Sequence, residues 1–325
     1  MTIMSYSEAL REALQEELRR DPDVFVLGED IALYGGAFGV TRGLFDEFGG
    51  ARIRNTPISE PGFVGAAIGA AMVGSRPVVE IMFMDFITLA VDQLVNQAAK
   101  LHYVFGDPVR CPLVVRTAGG GGKGYGPTHS QSLEAWFLHA PGLKVVAPAT
   151  PADAKGLLKT AIRDNNPVVF MEHKLLYAQK GPVPASEEAL VPFGKARVAR
   201  EGTALTIAAW SYMAHQAEIA AAELAERGVD AEVLDLRTLC PLDIGSVVES
   251  VKKTRRLLLV EEGTRTGGFS AEIGFQVFEH IFDYLEAPIT RLTTPDIPLS
   301  ASPVLEKAAI PDVAGIVRAA LKLVS

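Results

Sequence analysis

Apolar positions along this chain fall into short β-rich runs separated by longer helical ones. Val24–Leu27, Pro77–Phe83, Leu113–Arg116, Lys144–Val146 and Val168–Met171 read as buried strands, with few polar interruptions. Between them, Gly62–Gly74, Ile87–Val104 and Ala152–Arg163 have the length and composition of helices. Ahead of the first strand, Ser5-Tyr6-Ser7-Glu8 reads as a capping box opening a helix with Leu10, Leu14 and Leu18 on one face. Such alternation predicts an α/β fold, a doubly wound parallel sheet covered by helices. The pattern lapses from Lys180 to Pro192, where Pro182, Pro184 and Pro192 stand among charges. We therefore expect a first domain over residues 1–179, a linker over 180–200 and a second domain over 201–325. The second repeats the α/β pattern, with strands at Leu205–Ala209, Glu232–Leu236, Leu257–Val260 and Ile289–Leu292 and helices at Ala214–Arg227, Asp243–Lys252 and Ala271–Leu285.

Composition narrows the function classes more than the fold. A chain of 325 residues with 48% hydrophobic and 22% charged residues suits a soluble two-domain protein. Its net charge of −8, without a Lys/Arg block, argues against nucleic acid or an anionic membrane as the main partner. Cys111 and Cys240 are its two cysteines and lack metal-type spacing, which points to a reducing, cytoplasmic setting. The N-terminus reads as folded protein rather than a leader, and no apolar run approaches the ~20 residues a membrane span requires.

Three stretches carry candidate chemistry. Asn55-Thr56-Pro57-Ile58-Ser59-Glu60-Pro61-Gly62 places one carboxylate, Glu60, at the start of an apolar helix, with Pro61 suited to the first helical position. Gly62, Ala66, Ala70 and Gly74 then form a ladder of small residues, which implies close approach by another backbone, since each helical glycine costs about 1 kcal/mol relative to alanine. A helix-capping glutamate beside a tightly packed core helix would give the same pattern. Gly119 to Gly126 formally contains GxGxxG, but Pro127 follows and no helix opens directly, so a dinucleotide site is rejected. Lys123 precedes Gly124 rather than Ser or Thr, so a phosphate loop is rejected too, and a mobile loop near a site is expected. His129 ends that loop just before Ser130-Gln131-Ser132, a setting suited equally to proton transfer and to a structural histidine.

Taken together, NTPISEPG, EIMFMDF, DQLVNQAAK, HSQS and TGGFSAEI, in this order over nearly the whole chain, resemble one family. It is the beta subunit of the thiamine-diphosphate-dependent, decarboxylating component of 2-oxo acid dehydrogenase complexes, a group that includes acetoin dehydrogenase. The resemblance implies two transketolase-like domains, one binding the pyrimidine and one a C-terminal assembly domain that docks the acyltransferase core. It implies that Glu60 binds the aminopyrimidine ring nitrogen of thiamine diphosphate, that Ile58 lines the same pocket and that Phe86 stacks on the pyrimidine. A carboxylate sharing a proton with that nitrogen favours the imino tautomer, which generates the thiazolium ylid. His129 is implied to help the acyl group pass to a lipoyl arm. Family members hold the diphosphate through a divalent metal with a GDG motif that this chain lacks. Magnesium is therefore expected on a separate alpha chain, in an assembly of two alpha and two beta chains, with the small-residue helix as a subunit contact. Family members also bind potassium at positions matching Leu113, Ala161, Ile162, Asp164 and Asn166, mostly through backbone oxygens.

Substrate choice rests on less. Met82 stands where branched-chain members carry Gln, and GGAFGVTRGL and HSQSLEAWF look most like the acetoin type, which leaves pyruvate, another 2-oxo acid or acetoin. The second domain shows no catalytic constellation, Glu261-Glu262-Gly263 reading as a strand end and the carboxylate of Ser325 as a contact to the core. Two other classes fit the same residues: another split transketolase-type enzyme, and a structural subunit without catalysis.

Overall fold

A computed structural model describes residues 1–186 and 188–325; the expected linker 180–200 includes Glu187, which lies outside the described residues. The chain divides into two compact units, residues 1–119 with 136–193 and residues 120–135 with 194–325. Residues 120–135, expected within the first domain, thus fold with the second unit. The physical reason is hydrogen bonding: the Gly121 and Gly124 amides are held by Glu262 and Glu306, far along the chain.

In the first unit six parallel strands lie in the order Lys144–Val146, Val168–His173, Val114–Gly119, Arg76–Ile81, Val24–Gly28 and Ile53–Asn55. Their buried side chains, Val26, Val78, Val115 and Val169 among them, form the core. The N-terminal helix Tyr6–Arg20 has its full capping box, Ser5 with Glu8, and buries Leu10, Leu14 and Leu18 as the pattern predicts. It packs on helix Pro151–Arg163, whose buried Lys155 and Lys159 ammonium groups pair with Glu12 and Glu16. Lys180–Val183, read as the start of the linker, is a strand antiparallel to Thr2–Ser5.

Helix boundaries differ from expectation at two functional stretches. The helix expected from Gly62 begins at Glu60 and ends at Met72, so Ser59 occupies the cap, without a side-chain cap bond. The single helix expected over 87–104 is a chain of short pieces, Met84–Ile87, a tight 3-10 turn at Thr88–Ala90, a π-helical stretch at Gln93–Ala98 and Ala99–Phe105. Extra residues accommodated as π-turns re-aim side chains without ending the helix, a device common beside functional sites.

In the second unit five strands lie in the order Thr290–Thr294, Leu257–Thr264, Leu205–Ala209, Ala231–Asp235 and Arg197–Arg200, the last antiparallel and the rest parallel. Helices Ser211–Glu226, Ile244–Thr254 and Phe269–Ile281 correspond to the expected ones, while Pro303–Ala309 and Val313–Val324 were not anticipated by the pattern. Among the described residues no helix is long and apolar enough to cross a membrane.

Candidate functional site

The carboxyl ends of three neighbouring strands bring the first group of candidate residues to one edge of the sheet. Gly28 is in register with both Asn55 and Glu80, so the segments following these strands emerge side by side. Glu29 follows the first, Glu60 the second, and Phe83 and Phe86 the third. This edge of a parallel sheet is where α/β proteins bind ligands. The Thr56 N–H to Gly28 C=O bond, at 2.9 Å, fixes the turn leading to Glu60, and Asn55 Oδ1 accepts the Ala32 N–H at 2.8 Å from the loop after Glu29.

Glu60 is 5% exposed at the first position of its helix, although nothing but this chain covers it. Glu29 stands close enough to feel its charge. Burial, then Glu60, then Asp30 push the Glu29 carboxyl up from its usual range. Its Oε1 and the Thr56 Oγ1 are buried without a hydrogen-bond partner among the described residues. An acceptor buried without a partner costs roughly 1–3 kcal/mol, so such groups mark the place of a missing donor. The carboxyl pair and the orphaned oxygens fit a heterocycle bearing N–H groups, as the aminopyrimidine of thiamine diphosphate does.

Phe86 is half-buried and meets the Phe83 ring edge-on at 6.0 Å. Phe83 in turn meets Phe38, which stacks on Tyr177 at 4.8 Å. Behind this aromatic row lies a buried ionic cluster that sequence reasoning missed. Arg116, 2% exposed, donates to Glu172 at 2.7 and 2.9 Å and to Glu80 at 2.8 Å, and the Tyr177 hydroxyl donates to Glu172 at 2.7 Å. Burial opposes the charge on Arg116, but Glu172 and Glu80 hold its guanidinium well above its ordinary range. The signal in the sequence was a charge inside or at the end of each of three apolar runs, at Glu80, Arg116 and Glu172. Ile58, by contrast, is 85% exposed, an apolar side chain standing away from its own unit.

His129 belongs to the other compact unit. It is half-buried, its N–H bonds the Gly126 C=O at 3.2 Å and its Nδ1 lies 3.1 Å from Thr128 Oγ1. Two glycines of the run before it are held by specific contacts. A Cβ on Gly121 would lie 2.6 Å from Ile310 Cδ1, and Gly124 adopts φ +68 against Ala301. The glycines serve close approach and left-handed backbone. Nearby, burial first, then Glu262 and Glu261, raise the Glu134 carboxyl to about 7, against a hydrogen bond from Trp210.

The oxygens proposed for potassium lie together in the first unit but already have partners. The Leu113 C=O accepts the Val168 N–H at 2.8 Å, the Ala161 C=O accepts the Asp164 N–H at 3.2 Å, and the Arg76 guanidinium donates to the C=O groups of Ile162 and Asp164 at 2.8 and 2.6 Å. Burial would raise the Asp164 carboxyl, yet Lys144 and both Asn166 donors hold it below its usual range. Carbonyls have a second lone pair, so a monovalent cation fits here only beside Arg76. Among the described residues no group of three or more His, Cys, Asp or Glu is arranged to hold a metal.

Comparison with known proteins bears on what this arrangement is for. Residues 3–180 match the transketolase pyrimidine-binding domain and residues 194–316 the transketolase C-terminal domain. The chain is 48% identical over 319 residues to the pyruvate dehydrogenase E1 component subunit beta of Rhizobium meliloti (strain 1021), covering 98% of this chain and 69% of that protein. It is 47% identical over 319 residues to the mitochondrial pyruvate dehydrogenase E1 component subunit beta of Dictyostelium discoideum, covering 97% and 90%. The corresponding Porphyra purpurea protein is 50% identical over 303 residues, covering 93% and 91%. A solved structure described as a split gene transketolase, inactive beta4 tetramer, superposes with a TM-score of 0.78 at 24% identity, over 99% of this chain and 98% of that one. At that identity it bears on the fold alone.

Proposed function

Because the chain belongs to the family of pyruvate dehydrogenase E1 component beta subunits, with transketolase pyrimidine-binding and C-terminal domains, we propose that it works as the pyrimidine-binding half of a thiamine-diphosphate-dependent 2-oxo acid dehydrogenase component. Pyruvate is the substrate we assign, from the relatives. The carrying observation is the buried Glu60 within charge range of Glu29, whose Oε1 lacks a donor among the described residues, at the carboxyl ends of parallel strands. Thiamine diphosphate, when bound, supplies a carbon nucleophile and an electron sink for decarboxylation.

The residues of this chain prepare the site for that chemistry. Glu60 exchanges a proton with the pyrimidine ring nitrogen, and its burial keeps water from competing for it. Phe86, braced by Phe83, offers a ring face to the pyrimidine, and Ile58 supplies apolar cover where its own unit leaves it exposed. His129 holds a proton for transfer of the acyl group to the lipoyl-lysine of a dihydrolipoyl acyltransferase core. The diphosphate and its magnesium belong to an alpha chain, in an assembly of two alpha and two beta chains in the cytoplasm. In support of a partner, the helix after Glu60 turns Gly62, Ala66 and Gly69 outward, and among the described residues nothing approaches the position of a Cβ at Gly69. A glycine there costs about 1 kcal/mol relative to alanine, and the described residues supply no close contact that requires it. We place a structural potassium among the backbone oxygens of Leu113, Ala161, Ile162, Asp164 and Asn166, beside the Arg76 guanidinium.

The test is Glu60→Gln in the assembled alpha–beta enzyme. Exchange of the thiazolium C2 proton, followed by magnetic resonance, should slow by about 10²–10⁴-fold while the assembly persists. Undiminished exchange removes Glu60 from the chemistry. Acetoin offered in place of pyruvate to the parent enzyme decides between the two substrates.

A further inference from the structure

We infer that Glu306, with Glu262 beside it, is a positioning residue for His129, so that the second domain seats the loop from which this histidine works. The inference rests on the role of His129 proposed above. Glu262 accepts the Gly121 N–H at 2.5 Å from the end of strand Leu257–Thr264, and Glu306 accepts the Gly124 N–H at 2.8 Å from helix Pro303–Ala309. Both carboxylates are buried, at 8% and 2% exposure. Among the described residues Glu306 has no ion pair, and its Oε1 has no hydrogen-bond partner.

Holding a backbone amide with a buried carboxylate is a strong arrangement, roughly twice the strength of a neutral hydrogen bond, and one that charge burial disfavours unless the position matters. The fit around it is equally specific. A Cβ at Gly121 would lie 3.1 Å from Glu306 Oε1 and from Leu299 Cδ1, besides meeting Ile310, and a Cβ at Gly124 would lie 3.2 Å from the Ala301 C=O. From this seat the path to His129 is short and hydrogen-bonded. The His129 N–H bonds the Gly126 C=O at 3.2 Å, the Gly120 N–H closes the loop on the Gln131 C=O at 3.1 Å, and Ser130 is buried between them. Moving Gly124 therefore moves His129.

Glu306→Ala and the isosteric Glu306→Gln, each in the assembled alpha–beta enzyme, test this. Peptide-level hydrogen exchange over residues 119–130 reads the seat directly. Lipoyl acylation and decarboxylation coupled to an artificial electron acceptor are measured alongside, with thiamine diphosphate binding as a control. For Glu306→Ala we expect loop exchange and lipoyl-acylation kcat to change by about tenfold, faster and slower respectively, with KM, artificial-acceptor turnover and cofactor binding within about twofold. Glu306→Gln, whose amide oxygen still accepts the Gly124 N–H, should recover most of both losses. The proposal is overturned if Glu306→Ala frees the loop and leaves lipoyl acylation intact, if the loop stays protected, or if both activities fall together in both variants. A parent assembly lacking thiamine-dependent decarboxylation would instead overturn the functional reading and the role of His129 with it, whatever the loop exchange shows.

Discussion

Both units end their strands in acidic residues, yet they use them in opposite ways. In the second unit, Glu261 takes hydrogen bonds from the Phe269 and Ser270 amides, the Ser270 hydroxyl and Arg291, and Glu262 takes one from Gly121. In the first, Glu29 keeps a buried oxygen without a partner among the described residues and feels the charge of the buried Glu60. A carboxylate with its acceptor capacity filled by its own chain has little left for a ligand; one left unfilled at a binding edge is available to it. The contrast also runs inside the first unit, where Glu80 and Glu172 are filled by Arg116.

The strongest way to break this comparison is to empty a filled set. Arg116→Met should destabilise the protein by about 3–5 kcal/mol in urea unfolding, because it leaves Glu80 and Glu172 buried and unpaired. Glu60→Gln, which removes no filled partner, should shift unfolding far less; similar losses from both would erase the distinction. Next, His129→Ala should lower lipoyl acylation by about 10²-fold while artificial-acceptor decarboxylation survives better, since a general acid–base group typically contributes about 10²–10⁴-fold and only to the step it serves. Equal loss of the two activities would make the histidine structural.

The smallest effect sharpens the comparison within the second unit. Glu134 keeps its proton to about pH 7 in the folded chain but releases it near the usual 4.5 when unfolded. The folded state thus binds more protons between those values, and stability falls as pH rises through them. Glu134→Gln removes the buried charge. Relative to the parent it should gain roughly 1–2 kcal/mol at pH 8 and nothing at pH 4, allowing for partial exposure of the side chain. Urea midpoints at the two pH values check this; a gain of the same size at both would exclude the carboxyl as its source.

How far the site could be read in advance depended on the range of the interactions that build it. The helix opening at Glu60 and the strands that precede it and Phe86 were legible because each is announced locally, by a proline after an acid or by an apolar run of strand length. The nearness of Glu29 to the charge of Glu60 was not, since 31 residues separate them and register brings Gly28 beside Asn55. The close packing of Gly121 and Gly124 could not be read in advance, because Ile310, Ala301 and Glu306, which meet them, are about 180 residues away.

The sequence by itself determined the α/β alternation, the two halves, the capped first helix and the acid at the start of the small-residue helix, all consequences of hydrophobic period and short-range sterics. Tertiary structure alone decided which acids are filled and which are left open, which unit owns the loop bearing His129, and where the helix after Phe86 widens. Those outcomes depend on hydrogen bonds and close contacts between residues tens to hundreds of positions apart, and no local pattern encodes them.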